Sequence, residues 1–206
     1  VSGIAGGETA QLMSLFAGVR GSSFGIVGFQ SATGAAQPYD AVPTAQLAAS
    51  EFQQLMATSS TASFDGTRSA GIYIRTVADR TLTLGPALSV PTVSKVATTP
   101  YVRPRMQFTS QSQYNRLAIA DWRQNSINRG ANVSMTAGYT SGTAPATWDL
   151  VVPDLTAAAG WTNSWGLQDG TAIAWGADAF GGAIAYLDAS IVEGATSLSA
   201  SYDSPT

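Results

Sequence analysis

The stretch "YVRPRMQF", residues 101–108, alternates without a break. Tyr101, Arg103, Arg105 and Gln107 share one face, and Val102, Pro104, Met106 and Phe108 share the other. A side-chain period of two belongs to an extended strand, so this stretch reads as a strand with one apolar and one polar face. Pro104 has no N–H to give to a ladder, which places the strand at the edge of its sheet. The same period recurs along the chain. "GIYIRTV" sets Ile72, Ile74 and Thr76 against Tyr73, Arg75 and Val77. "NVSMTAGY" turns Val133, Met135, Ala137 and Tyr139 inward, and "TWDLVVPDL" turns Trp148, Leu150 and Val152 inward before Pro153 closes it. Turn dipeptides (DG, SG, GG, AP) separate these runs. Short strands so spaced build an all-β, mainly antiparallel fold, a two-sheet sandwich or jelly roll.

The N-terminal third reads differently. "SFGIVGFQ" has strand composition. "TAQLAASEFQQLMA", residues 44–57, places Leu47, Glu51, Phe52, Leu55 and Met56 at helical spacing behind Thr44 as an N-cap, which predicts a helix. "ETAQLMSLFAG" gives a second short helix. No segment is rich enough in linker residues to cut the chain, so 1–206 is expected to be one domain, with a boundary near 78–90 as the alternative.

Much chemistry is excluded by what is missing. The chain has no Cys and no His. That removes disulfides, thiolate metal sites and the Ser–His triad. An enzyme built from what remains would be a two-carboxylate glycoside hydrolase. The only glutamates are Glu8, Glu51 and Glu193, and none sits among apolar strand residues, so no catalytic residue is expected. Among the aspartates, Asp149, Asp154, Asp169, Asp178 and Asp188 are candidate calcium ligands, although none falls in a D-x-D-x-D loop. No cofactor is otherwise implied. Lys95, the single lysine, lies in a polar stretch between prolines and reads as solvated. The sequon "NVS" at Asn132 falls inside a strand.

Charge is scarce and unevenly placed. Charged residues make up 11%, against about 25% in typical soluble domains. Polarity falls instead on Ser, Thr, Asn and Gln, as on secreted or assembled proteins. The chain starts at Val1, as after processing or truncation, and from the low charge content an extracellular or cell-surface location is expected. The longest apolar run, Ala172 to Leu187, contains Asp178 and is too short to span a bilayer. Residues 68–129 hold eight Arg and one Lys against Asp79 and Asp121, a net of +7. Residues 130–206 hold seven acids and no base, a net of −7. Residues 1–67 carry the remaining −3. The two large blocks either pair across neighbouring strands or lie on opposite surfaces. In the second case Arg103, Arg105, Arg116 and Arg123 would meet the acidic third of a neighbouring copy, head to tail. A polyanion surface using these arginines and Arg129 is disfavoured by the net charge of −3, so nucleic acid is not expected as a partner.

Three of the five tryptophans lie in "WTNSWGLQDGTAIAWG", residues 161–176. Asp169-Gly170 suits a two-residue hairpin turn. A hairpin there puts Trp165 opposite Ala174 and turns Trp175 to the other face. Trp161 and Trp165, with Tyr139 or Tyr186, would then form the one available aromatic platform for a glycan. Together these features predict a non-enzymatic structural or surface protein that works through contacts with copies of itself or other surface proteins, as a subunit of a filament, shell or surface layer. The alternatives are a carbohydrate-binding module and a viral capsid or decoration jelly roll.

Overall fold

The computed structural model describes residues 1–17, 24–49, 51–184, 187–188 and 191–204. The strands pair antiparallel and lie in two sheets. The chain divides into two compact units. Val1–Ala87 with Phe180–Ala200 make the first, and Leu88–Ala179 with Ser201–Thr206 make the second.

In the first unit β1 (Thr9–Ala17), β2 (Phe24–Ser31), β3 (Phe52–Ser60) and β4 (Gly66–Ile74) stand in the order β2-β1-β3-β4. β11 (Thr196–Asp203) follows β4. Leu12, Leu55, Ala57 and Ala70 cover one face and pack with Leu82 and Leu84. A buried ion pair fastens the N-terminal segment to this face. Arg68 donates to Glu8 through Nε (3.1 Å) and Nη2, to the Gly85 carbonyl through Nη1 (2.5 Å) and to the Gly3 carbonyl through Nη2 (3.0 Å). A buried charge pair is tolerated when the guanidinium finds this many acceptors. Burial by itself would raise the Glu8 carboxyl, but the bonds from Arg68, the Ala5 N–H and Ser59 outweigh it and hold Glu8 below its usual value.

Both helices expected in this unit are absent. Over 44–57 there is one 3-10 turn, Thr44–Gln46, and from Phe52 the chain is β3. The inward residues of β3 are Gln53, Leu55, Ala57 and Ser59, all buried. Two of these four are polar, which hides the strand period in the sequence. Their polar atoms are satisfied inside. Gln53 holds the Val42 N–H (2.5 Å) and C=O (2.8 Å), and Ser59 bonds Glu8 at 2.7 Å. "ETAQLMSLFAG" is β1. Ala10, Leu12 and Ser14 face the core, while Met13 and Leu15 are half-buried on the other face. Apolar residues on both faces made it resemble a helix.

In the second unit β5 (Thr92–Ala97), β6 (Arg103–Thr109) and β9 (Thr147–Val151) form a sheet in the order β5-β6-β9. β7 (Leu117–Gln124), β8 (Arg129–Thr136) and β10 (Ala174–Gly182) stand in the order β10-β7-β8. The expected alternation holds on the inner faces. Val102, Met106, Phe108, Trp148, Leu150 and Val152 are buried, as are Ala118, Ala120 and Trp122.

β6 is the central strand of its sheet, not an edge. Pro104 is accommodated by its neighbour. The Pro104 carbonyl accepts the Val152 N–H at 3.0 Å, so the missing Pro104 N–H would have addressed the Val152 carbonyl. Arg103 Nε donates to that carbonyl instead, at 3.1 Å.

Candidate functional site

Trp161, Trp165 and Tyr101 form an aromatic cluster in the second unit. The Tyr101 and Trp161 ring centroids are 5.4 Å apart, and Trp161 meets Trp165 edge to face at 6.0 Å and 87°. Gly166 lets the rings approach, since a Cβ there would stand 2.7 Å from the Tyr101 ring. Tyr101, grouped in sequence with the polar face of its strand, is buried. Its hydroxyl donates to the Pro153 carbonyl at 3.2 Å and accepts the Leu155 N–H at 2.6 Å. No local pattern signals this role, because the hydroxyl's partners lie about fifty residues away. Trp165 is 57% exposed. Beside the cluster lies a pocket of about 220 Å³ lined by Tyr101, Trp161, Leu155, Pro153 and the β8 residues 130–133. Ligand pockets usually exceed roughly 300 Å³, so this one suits a single side chain or ring.

The predicted hairpin around Asp169-Gly170 does not form. Trp165 ends a 3-10 turn, Asn163–Trp165, and Leu167 bridges Val102 rather than Ala172. The turn itself is present, with Gly170 at φ +77°. It is held by buried Gln124, which donates to the Gln168 and Thr171 carbonyls (2.7 and 3.1 Å) and accepts the Gln168 N–H at 2.8 Å. Trp175 stacks on Tyr202 at 6.0 Å. Tyr139, expected inward, is 81% exposed in the turn after β8. Tyr186 lies outside the described residues.

Arg103, Arg105 and Arg123 meet acids of their own unit. Arg105 pairs with Asp149 across β6 and β9, Arg103 with Asp154 (3.3 Å), and Arg123 with Asp121 (2.9 Å). Lys95, expected to be solvated, bonds Asp169 at 2.7 Å. Arg116 precedes β7, where its carbonyl accepts the Ala137 N–H at 2.8 Å. Lys95, Arg103 and Arg105 of the basic block thus find acids of the acidic block within one chain, while Arg123 and Asp121 pair inside the basic block.

Asp121 on β7 and Asp203 on β11 crowd around Gly176 of β10, the strand that carries Asp178. A Cβ at Gly176 would stand 2.6 Å from an Asp203 oxygen and 2.9 Å from an Asp121 oxygen. Burial, and then the Asp121 and Asp203 charges, push Asp178 up to about 6. Among the described residues no group of three or more carboxylates is arranged to hold a metal ion. In the first unit a groove of about 530 Å³ runs over Leu12, Leu55 and Leu82. At its rim Tyr39 bonds Ala78 and Arg80 Nη2 pairs with Glu193, while Arg80 Nε is buried without a partner among the described residues.

The outer strands differ in what they present. β5 carries Lys95 and a bulge between Lys95 and Ala97. β9 has five residues, carries Asp149 and stops before Pro153. β8 opens with Arg129 and exposes Asn132 and Ser134. These are the usual guards against strand addition. β2, FGIVGFQS, has no charge and no proline, and it exposes Ile26 (70%) and Phe29 (57%). Sequence reading recognised the strand but not its position. The signal was present in an uncharged run with large apolar residues on both faces.

Compared with known proteins, the chain matches no family model, no curated protein and no solved structure.

Proposed function

We propose that this chain is a non-enzymatic structural or surface subunit, working outside the cytoplasm through contacts with copies of itself. One observation carries the reading: the outer strand β2 is uncharged and exposes Ile26 and Phe29 beside outward main-chain groups that no main-chain bond reaches among the described residues. An unguarded edge of this kind is a liability in a monomer and an asset in an assembling subunit. The low charge content supports the location, since a hydroxyl- and amide-rich surface suits assembled layers. The test is sedimentation over a wide concentration range. The wild type is expected to associate, and Phe29→Lys is expected to remain monomeric with an unchanged circular dichroism spectrum. A wild type that stays monomeric at high concentration contradicts the proposal.

A second reading rests on Trp165. An exposed indole braced edge to face by Trp161 suits stacking on one sugar ring. The perpendicular rings do not make the flat platform that an extended glycan needs. Titration with soluble oligosaccharides, followed by tryptophan fluorescence and compared with Trp165→Ala, tests it.

A further inference from the structure

The bonding pattern of β2 indicates what can pair with it. The Ala32 N–H donates to the Ala10 carbonyl at 2.8 Å, and the register continues as Leu12↔Gln30 and Ser14↔Gly28. In an antiparallel pair alternate residues bond the neighbour, and those between them turn their groups away. Phe29 therefore points its N–H and C=O outward. The register slips between Ser14 and Leu15, and Leu15 faces Ile26. Beyond the slip Ile26 takes the outward position. Ser31 also points outward, but its carbonyl accepts from Gln37 Nε2 at 3.0 Å. Among the described residues no main-chain bond reaches the outward groups of Ile26 or Phe29.

We infer that β2 pairs antiparallel with β2 of a second copy, about a two-fold axis between Val27 and Gly28, so that Ile26 faces Phe29 of the copy and Phe29 faces its Ile26. This inference rests on the self-association proposed above and names its geometry. Three features favour a copy over another strand. The irregular spacing that the slip imposes on Ile26 and Phe29 recurs in the copy, reversed, so outward group meets outward group. Side chains directly opposite in such a pair lie on the same face. Ile26 and Phe29 of one copy thus meet Phe29 and Ile26 of the other, beside half-buried Met13, Leu15 and Met56. Finally, β2 holds no charge, so self-pairing meets no repulsion along the strand. A contact of this kind is isologous and closes at two copies, so any larger assembly must use a second surface.

One residue opposes the pair. Asp40 lies over Gly28, and a Cβ on Gly28 would stand 2.6 Å from its Oδ2. The two Asp40 carboxylates would approach across the axis. Asp40→Asn is therefore expected to tighten the dimer by about two- to fivefold, the range for exposed charges.

Residues opposite each other in a bonded pair have Cα atoms about 5.5 Å apart, inside the range a disulfide spans. The chain has no Cys to interfere. A mixture of Ile26→Cys and Phe29→Cys, oxidised gently, is expected to give covalent dimer several times more readily than either variant alone. Equal cross-linking in all three samples overturns the register, as does none in the mixture. The same pair is read in the unaltered protein by isotope-filtered NOEs between the Ile26 methyls of one copy and the Phe29 ring of the other. Their absence in a sample that sediments as a dimer overturns the inference while leaving self-association standing. A wild type that is strictly monomeric removes both.

Discussion

Arg105 holds Asp149 across the β6–β9 pair with two parallel bonds, Nε to Oδ1 at 2.7 Å and Nη2 to Oδ2 at 2.5 Å. This fork sets the Asp149 carboxyl below its usual value, the bond from Arg105 being the largest cause. Both side chains are more than a third exposed, 38% and 37%, so solvent screens the pair. A charge block that looks like an interface in sequence is, at this point, a cross-strand clasp.

Arg105→Glu is therefore expected to lower stability slightly, since it trades a screened attraction for a screened repulsion. Adding Asp149→Arg should restore most of that. Urea denaturation of the two variants and the wild type checks this. A double variant no more stable than Arg105→Glu would mean that the pair contributes nothing.

Trp148 is fully buried on β9 opposite Phe108 of β6. Trp148→Ala should cost about 3–5 kcal/mol, the range for removing a buried aromatic ring. A loss below about 1 kcal/mol in thermal or urea unfolding would place the ring outside the core.

Asp178 contributes a pH dependence of its own to stability. Its carboxyl is pushed up to about 6, by burial first and then by Asp121 and Asp203, with Arg123 partly opposing. An acid that holds its proton more tightly folded than unfolded stabilises the fold below its unfolded value, near 4. That contribution is lost as pH rises through about 6. Asp178→Asn removes the loss. Between pH 4 and pH 7 the variant should gain about 1–3 kcal/mol relative to wild type, from a shift of roughly two units at 1.36 kcal/mol each. Parallel stability–pH curves for the two proteins would contradict this.

The strands with clean alternation were legible. In residues 102–108 and 148–152 every second residue is large and apolar, and each is buried. Where the inside is polar the signal failed. Gln53 and Ser59 are buried among hydrogen-bond partners from distant segments, which no local pattern reveals. The proline rule failed at Pro104 because Arg103, one residue away, bonds the carbonyl that the proline leaves open. The Trp161–Trp165 pair was found from its spacing. Its real companion, Tyr101, is distant in sequence and comes into contact through Gly166.

In solution the outer edge of β2 is expected to be covered by a second molecule. Amide hydrogen exchange at Ile26 and Phe29, followed at low and high protein concentration, reads that edge directly. These amides point away from β1, and among the described residues of one copy no main-chain bond reaches them. Their protection is predicted to rise with concentration, while β3 and β6 amides, bonded within their sheets, stay constant. Protection of Ile26 and Phe29 that is unchanged between dilute and concentrated protein would mean that no second copy covers this edge.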